Sequence, residues 1–70
     1  MHFEHLRALA AIVDEGTFEA AADVLRISPS AVSQRIKALE TSVGQVVVRR
    51  GVPCTPTEAG SVLLLSLIHI

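Results

Sequence analysis

The sequence has a single cysteine, Cys54, so no internal disulfide can staple the chain, and the residues around it form no cluster of metal ligands. There is no glycine-rich phosphate loop, no nucleophile beside a base at a recognisable spacing, and no metal constellation, which leaves no enzyme reading and no cofactor. His2 and His5 stand three residues apart but have no third ligand at a useful spacing, so they read as surface residues and no metal site is expected. No apolar run approaches the roughly 20 residues that span a bilayer, so no membrane partner is expected. The opening MHFEHLRAL mixes charges into its first turns and has no basic n-region or small-residue cleavage site, so it is not a signal peptide and the expected location is the cytoplasm. Excess charge is missing too: the net is −1, which taken alone argues against a nucleic-acid partner.

What is present is an uneven distribution of that charge. Residues 1–25 hold Arg7 against Glu4, Asp14, Glu15, Glu19 and Asp23, a net of −4. Residues 26–55 hold Arg26, Arg35, Lys37, Arg49 and Arg50 against Glu40, a net of +4. A near-neutral total therefore hides a basic middle, the polarity of a protein that docks one side on phosphates. Seventy residues make one small domain, near the lower limit for a self-sufficient core and burying only about 60% of its unfolded surface.

The most informative stretch is Ser28 to Leu39, SPSAVSQRIKAL. Ser28 is a good N-cap and Pro29 suits the first helical position, where a missing N–H costs nothing. Val32, Ile36, Leu39 and Val43 recur at spacings of three and four and share one face, and Gly44 can end the helix in a left-handed conformation. Roughly opposite lie Ser30, Ser33, Gln34, Lys37 and Thr41, with Arg35 at the border and no acid before Glu40. Such a stripe can donate to and accept from base edges and phosphates without repelling a polyanion. Taken by itself the helix fits an ordinary amphipathic element equally well.

Before it, a helix is expected from about Glu4 to Asp14, with Phe3, Leu6, Leu9, Ala10 and Val13 as its apolar stripe and Gly16 as its stop. A second opens at Thr17 and runs to about Leu25, with Phe18, Ala21, Ala22 and Leu25 facing inward. The short connection Arg26–Ile27 then leads into Ser28. Helix, tight turn and capped helix make a helix-turn-helix, whose second helix enters the major groove; bundles that bind nothing can share the pattern. After Gly44, Val46–Val48 reads as a strand, Arg49 to Gly51 as a turn, and Val52 with Cys54 as a returning strand. Pro53 and Pro56 limit that return to an edge. The result is a small wing with two arginines at its tip, able to reach a phosphate, or else a solvated turn. Cys54 reads most simply as a small apolar residue of this wing. Thr57 caps a last helix, which from Val62 on reads VLLLSLIHI, apolar on all sides, and so calls for a partner or for more chain.

The order TFEAAADVL, SPSAVSQRIKALE, a strand-like run ending in arginine, and TEAG resembles the N-terminal winged helix-turn-helix of LysR-type transcriptional regulators. PSAVSQRIKALE, GQVVV, Arg50 and Pro53–Cys54 resemble in particular the LysG/ArgP branch that controls lysine and arginine export. The resemblance covers about Phe3 to Leu64. It implies a mostly α fold: a three-helix core, a β-hairpin wing and the start of a linker helix that is cut short. Residues 1–56 would be the DNA-binding domain and 57–70 the shortened linker helix, ending in the atypical LSLIHI, with the effector-binding domain absent. The implied partner is double-stranded DNA. Ser28, Pro29, Ser30, Ser33 and Gln34 correspond to the family's groove-facing residues, with Arg35 and Lys37 assigned to phosphates and Arg50 to the wing. Gly51, Val52 and Thr55 stand where relatives tend to carry charge, so a weaker hold by the wing is expected. A homodimer through the last helix, and a lysine or arginine effector, are implied only for a full-length protein. The rival expectation is a non-catalytic fragment that pairs through its last helix with full-length regulator subunits.

Overall fold

Each helix begins and ends where a particular residue makes or breaks its backbone ladder. The computed structural model describes residues 2–68, with helices α1 (Phe3–Glu15), α2 (Phe18–Leu25), α3 (Pro29–Val43) and α4 (Glu58–Ile68) and short strands β1 (Val48–Arg49) and β2 (Thr55–Pro56). Gly16 ends α1 at φ 90°, its N–H donating to the Ile12 carbonyl at 2.8 Å. Thr17 starts α2, its side-chain oxygen accepting from the Ala20 N–H at 3.0 Å. Ser28 does the same for α3 with the Ala31 N–H at 3.1 Å, and Pro29 follows as expected. Gly44 closes α3 at φ 79°. The architecture is a winged helix-turn-helix, mostly helical, with one two-stranded antiparallel ribbon.

The turn between α2 and α3 contains a feature that turn chemistry did not predict. Arg26 adopts a left-handed backbone at φ 59°, ψ 44°, although it is not glycine. Its N–H reaches the Asp23 carbonyl at 3.3 Å, and the next N–H, of Ile27, reaches the Ala22 carbonyl at 3.0 Å. These two bonds satisfy two of the four last carbonyls of α2, those of Ala22 and Asp23, as the chain is redirected within two residues.

The core is built around α1, which packs on α2, α3 and α4. Leu6, Ala8, Leu9 and Ile12 are buried there, against Phe18, Ala21 and Ala22 of α2, Val32, Ile36 and Leu39 of α3, and Leu63 of α4. The expected stripe of α1 is therefore corrected: Phe3 is 52% exposed, Ala10 and Val13 are only partly covered, and Ala8 and Ile12 are fully buried. A helix with neighbours on several sides buries a wider arc than the single stripe of a surface helix.

The wing also departs from expectation. Val46–Val48 does not pair as a strand: Val46 is exposed, and the buried Val47 gives its N–H to a Glu40 carboxylate oxygen at 3.0 Å. Its carbonyl accepts from the Thr57 N–H at 3.1 Å. Pairing begins only at Val48, which faces Pro56, and Arg49 faces Thr55. The returning strand is thus Thr55–Pro56 and not Val52 with Cys54, because the Cys54 N–H is already committed to the Gly16 carbonyl at 2.7 Å. Pro56 tolerates its place because this is an edge. Arg49 lies within β1 rather than at the tip of the turn. Cys54 is buried in the core cluster, as an apolar wing residue should be.

Thr57 caps α4, accepting from the Gly60 N–H at 3.2 Å while donating to the Val46 carbonyl at 2.7 Å. At Gly60 the helix comes so close to β1's approach that a Cβ would run into the Val47 carbonyl, so only glycine fits. Leu63 is buried and Leu64 and Leu67 are half-buried, whereas Val62 and Leu65 stay 58% and 56% exposed. The apolar end is therefore covered on one side only. Of the LSLIHI tail, residues 65–68 continue α4, and His69 and Ile70 lie outside the described residues.

Candidate nucleic-acid interface

Three apolar residues decide which way α3 faces. Val32, Ile36 and Leu39 are buried to 1% exposure or less, so the opposite side of the helix is turned outward. Ser28, Pro29, Ser30, Gln34, Lys37 and Thr41 are exposed there, and Ser33 and Arg35 are half-buried at its margins. Among the described residues, the side chains of Ser30, Ser33, Gln34 and Lys37 exchange no hydrogen bond with another protein group. Their donors and acceptors are held on a rigid helix and left for an outside partner. Ser28 is different, because its oxygen is occupied by the cap to Ala31, but its hydroxyl proton remains available. The helix is about 10–12 Å wide with its side chains, close to the width of the major groove of a DNA duplex.

The electrostatics of the face follow from where the one nearby acid goes. Glu40 stands in the last turns of α3, and its carboxylate is drawn to the Val47 N–H, which fastens the wing to the end of the helix. No acid stands in the first turn of α3, where the helix dipole favours an anion. Arg35 lies toward the start of α1. The His5 imidazole is held below its ordinary pKa by burial first, then by His2 and by the positive charge of Arg35, with Glu4 opposing. The rings of His2 and His5 meet edge to face at 5.0 Å between centroids. Among the described residues no group of three or more His, Cys, Asp or Glu could hold a metal ion.

Arg50 does not join the cluster on α3. Its guanidinium carbon lies 4.1 Å from the centroid of the Phe18 ring, at the first residue of α2. Arg49, its neighbour in the sequence, is exposed on β1. The residues assigned to DNA thus form one continuous face on α3 and one separate cation at the wing. Sequence reasoning missed the seat of Arg50, since Phe18 shows in the pattern only as an inward-facing apolar residue.

Residues 3–61 match the family described as bacterial regulatory helix-turn-helix protein, lysR family. The chain is 63% identical over 60 residues to the lysine export transcriptional regulatory protein LysG of Corynebacterium efficiens, a match that takes in 86% of this chain and 21% of that protein. It therefore spans about a fifth of the length of this curated relative. Full-length LysG of Corynebacterium glutamicum with bound effector Arg superposes on 99% of the chain with a TM-score of 0.94 at 52% identity, using 24% of the LysG chain. The BenM DNA-binding domain in complex with catB site 1 DNA superposes on 99% of the chain and 78% of its own, with a TM-score of 0.89 at 34% identity.

Proposed function

The chain belongs to the LysR family of bacterial regulatory helix-turn-helix proteins, and on that footing we propose that it binds double-stranded DNA sequence-specifically, as the DNA-binding part of a transcriptional regulator. The observation that carries this is the outward face of α3: Ser30, Gln34 and Lys37 exposed, Ser33 half-buried beside them, none of the four hydrogen-bonded by its side chain among the described residues, and no acid in the first turn. The likeness to a domain solved on DNA supports the same reading. Within it, residues 1–56 form the DNA-binding unit and 57–70 the start of a linker helix. The work is binding and orientation, with no catalysis. No helix among the described residues is long and apolar enough to cross a membrane, and the cytoplasm is where such a regulator meets its operator. An amino-acid effector, lysine or arginine, belongs to the function of the larger regulator.

The roles divide by chemistry. Gln34 presents an acceptor and a donor together, which fits adenine N7 and N6. Ser30 and Ser33 serve a base edge or a phosphate, the ring of Pro29 packs on a thymine methyl, and the Ser28 hydroxyl donates to a phosphate at the helix start. Lys37, Arg35 and Arg50 neutralise phosphates. Fluorescence-anisotropy titration separates the two kinds of contact. Gln34→Ala relaxes base preference by about 1–3 kcal/mol, whereas Arg50→Ala weakens specific and random duplexes alike. Equal affinity of wild type and Gln34→Ala on a specific site would remove base readout by Gln34.

A second reading is favoured by one observation, the exposed pair Val62 and Leu65 on α4. It has α4 pairing with the same helix of another regulator subunit.

A further inference from the structure

We propose that Phe18 is a positioning residue for DNA binding: its ring is the seat that holds the Arg50 guanidinium at the start of α2, ready for a backbone phosphate. The inference rests on the DNA-binding reading above and assigns a role in it to a buried core residue.

Phe18 is 8% exposed and belongs to the core cluster with Ala21, Ala22 and Leu9. Packing therefore fixes its ring, and what remains open is a platform rather than a mobile side chain. Arg50 is exposed, yet its guanidinium carbon lies 4.1 Å from the centroid of that ring. A cation over an aromatic face at this distance is attracted by the ring quadrupole. The ring face accepts no conventional hydrogen bond from the guanidinium's fork, so donors directed away from the ring stay free for phosphate oxygens.

A second tie holds the same junction together. The wing loop that begins at Arg50 is anchored at its far end by the Cys54 N–H, which donates to the Gly16 carbonyl at 2.7 Å. Gly16 lies just before Thr17, the cap of α2. Both ends of the loop are therefore fastened to the entrance of α2, one through the backbone and one through the ring. In a helix-turn-helix docked on DNA, the second helix lies in the major groove and the first crosses the backbone. Here α2 is that first helix, so the cation seated at its start lies on the element that crosses the backbone. An unheld arginine would lose much of its rotamer freedom on reaching a phosphate, whereas one seated during folding has already lost it.

The test uses the 70-residue chain and its variants Phe18→Leu, Arg50→Gln, Arg50→Lys and the double variant Phe18→Leu/Arg50→Gln. Each is titrated by anisotropy on a duplex that the wild type selects from a random pool, across a salt series. Proton NMR of the free protein reads the Arg50 side chain directly. The stack shifts its resonances upfield in the wild type, and Phe18→Leu removes the shift. Phe18→Leu is expected to weaken binding about fivefold, the scale of one partly screened charge contact. It is also expected to make the slope of log affinity against log salt shallower by about 0.9, the mark of one phosphate lost. Arg50→Gln should do the same, and the double variant no more than either alone. Arg50→Lys, which leaves the core untouched, keeps the charge but not the flat plane, and should bind several-fold more weakly than wild type.

An unshifted Arg50 resonance in the wild type, an unchanged salt slope in Phe18→Leu, additive losses in the double variant, or wild-type affinity in Arg50→Lys would each overturn the assignment. Should Phe18→Leu not fold, the wild-type resonance and Arg50→Lys still decide it. Failure of the wild type to bind any duplex, with the stack intact by NMR, would instead overturn the DNA-binding reading and this inference with it.

Discussion

His5 sits where α1 begins, half-buried and beside two other sources of positive charge. Burial, His2 and Arg35 all disfavour its protonated form, so its folded pKa lies below its ordinary value. The sign of the effect on stability follows from which state takes up the proton first. Well above pH 6.5 both the folded and unfolded forms are neutral and His5 contributes no pH dependence. As the pH falls through 6.5 the unfolded chain binds the proton first, so stability drops until the pH passes the lower folded value. His5→Gln should therefore lose less stability than wild type between pH 7.5 and 5.5, measured by urea midpoints at each pH. Parallel losses in the two proteins would show that the environment of His5 does not couple to folding. The pair His2 and His5 was visible in the sequence as a spacing, but its consequence was not, because Arg35 reaches it only through the packing of α3 on α1.

At the scale of elements, the helices and the presence of a hairpin wing were legible, but the residues that pair in the wing were not. Gly16, Thr17, Ser28 with Pro29, and Gly44 act within a turn of their own position, so each boundary could be read from neighbours in the chain. The segments around the ribbon take their hydrogen bonds from afar. Val47 is bound by Glu40 and Thr57, and Cys54 by Gly16. None of these partners is marked in the sequence, so a run of three valines looked like a strand. Thr57 is the residue on which this arrangement turns, since its hydroxyl both caps α4 and holds the Val46 carbonyl. Thr57→Val keeps the shape and removes both bonds, which should cost about 1–2 kcal/mol in urea denaturation. An unchanged midpoint would mean that water replaces the hydroxyl without loss. Gly60 belongs to the same junction: it carries no signal in a helical pattern except as a weak spot, and only the nearness of Val47 explains it.

At the scale of the molecule, charge is segregated while exposed apolar side chains are spread over several elements. All the basic residues but Arg7 lie in the middle of the chain, in the turn before α3, on α3 and on the wing, and the acids concentrate in α1 and α2. Large apolar side chains are exposed on α1 (Phe3), on α2 (Val24) and around the ribbon (Val46, Val52) as well as on α4, where Val62 and Leu65 occupy positions three apart and stay more than half exposed. Such a pair suits another helix laid alongside. Sedimentation equilibrium is expected to show association that rises with concentration, and Val62→Glu/Leu65→Glu to return the chain to the monomer. The same double variant mixed with a full-length family member should no longer alter that protein's sedimentation. Identical behaviour of wild type and variant would remove α4 as the pairing surface.

The sequence by itself determined the order of the helices, their caps, and the stripe of serine, glutamine and lysine that α3 turns outward. These depend on hydrogen bonds within one turn and on a period of 3.6 residues, both contained in short windows. Only the tertiary structure decided which arc of α1 is buried, where the ribbon pairs, and that Arg50 rests on Phe18. Those outcomes depend on what stands opposite a residue in space. A long cation or a free N–H satisfies itself with whichever partner the packed core brings within about 3–4 Å, however distant that partner is along the chain.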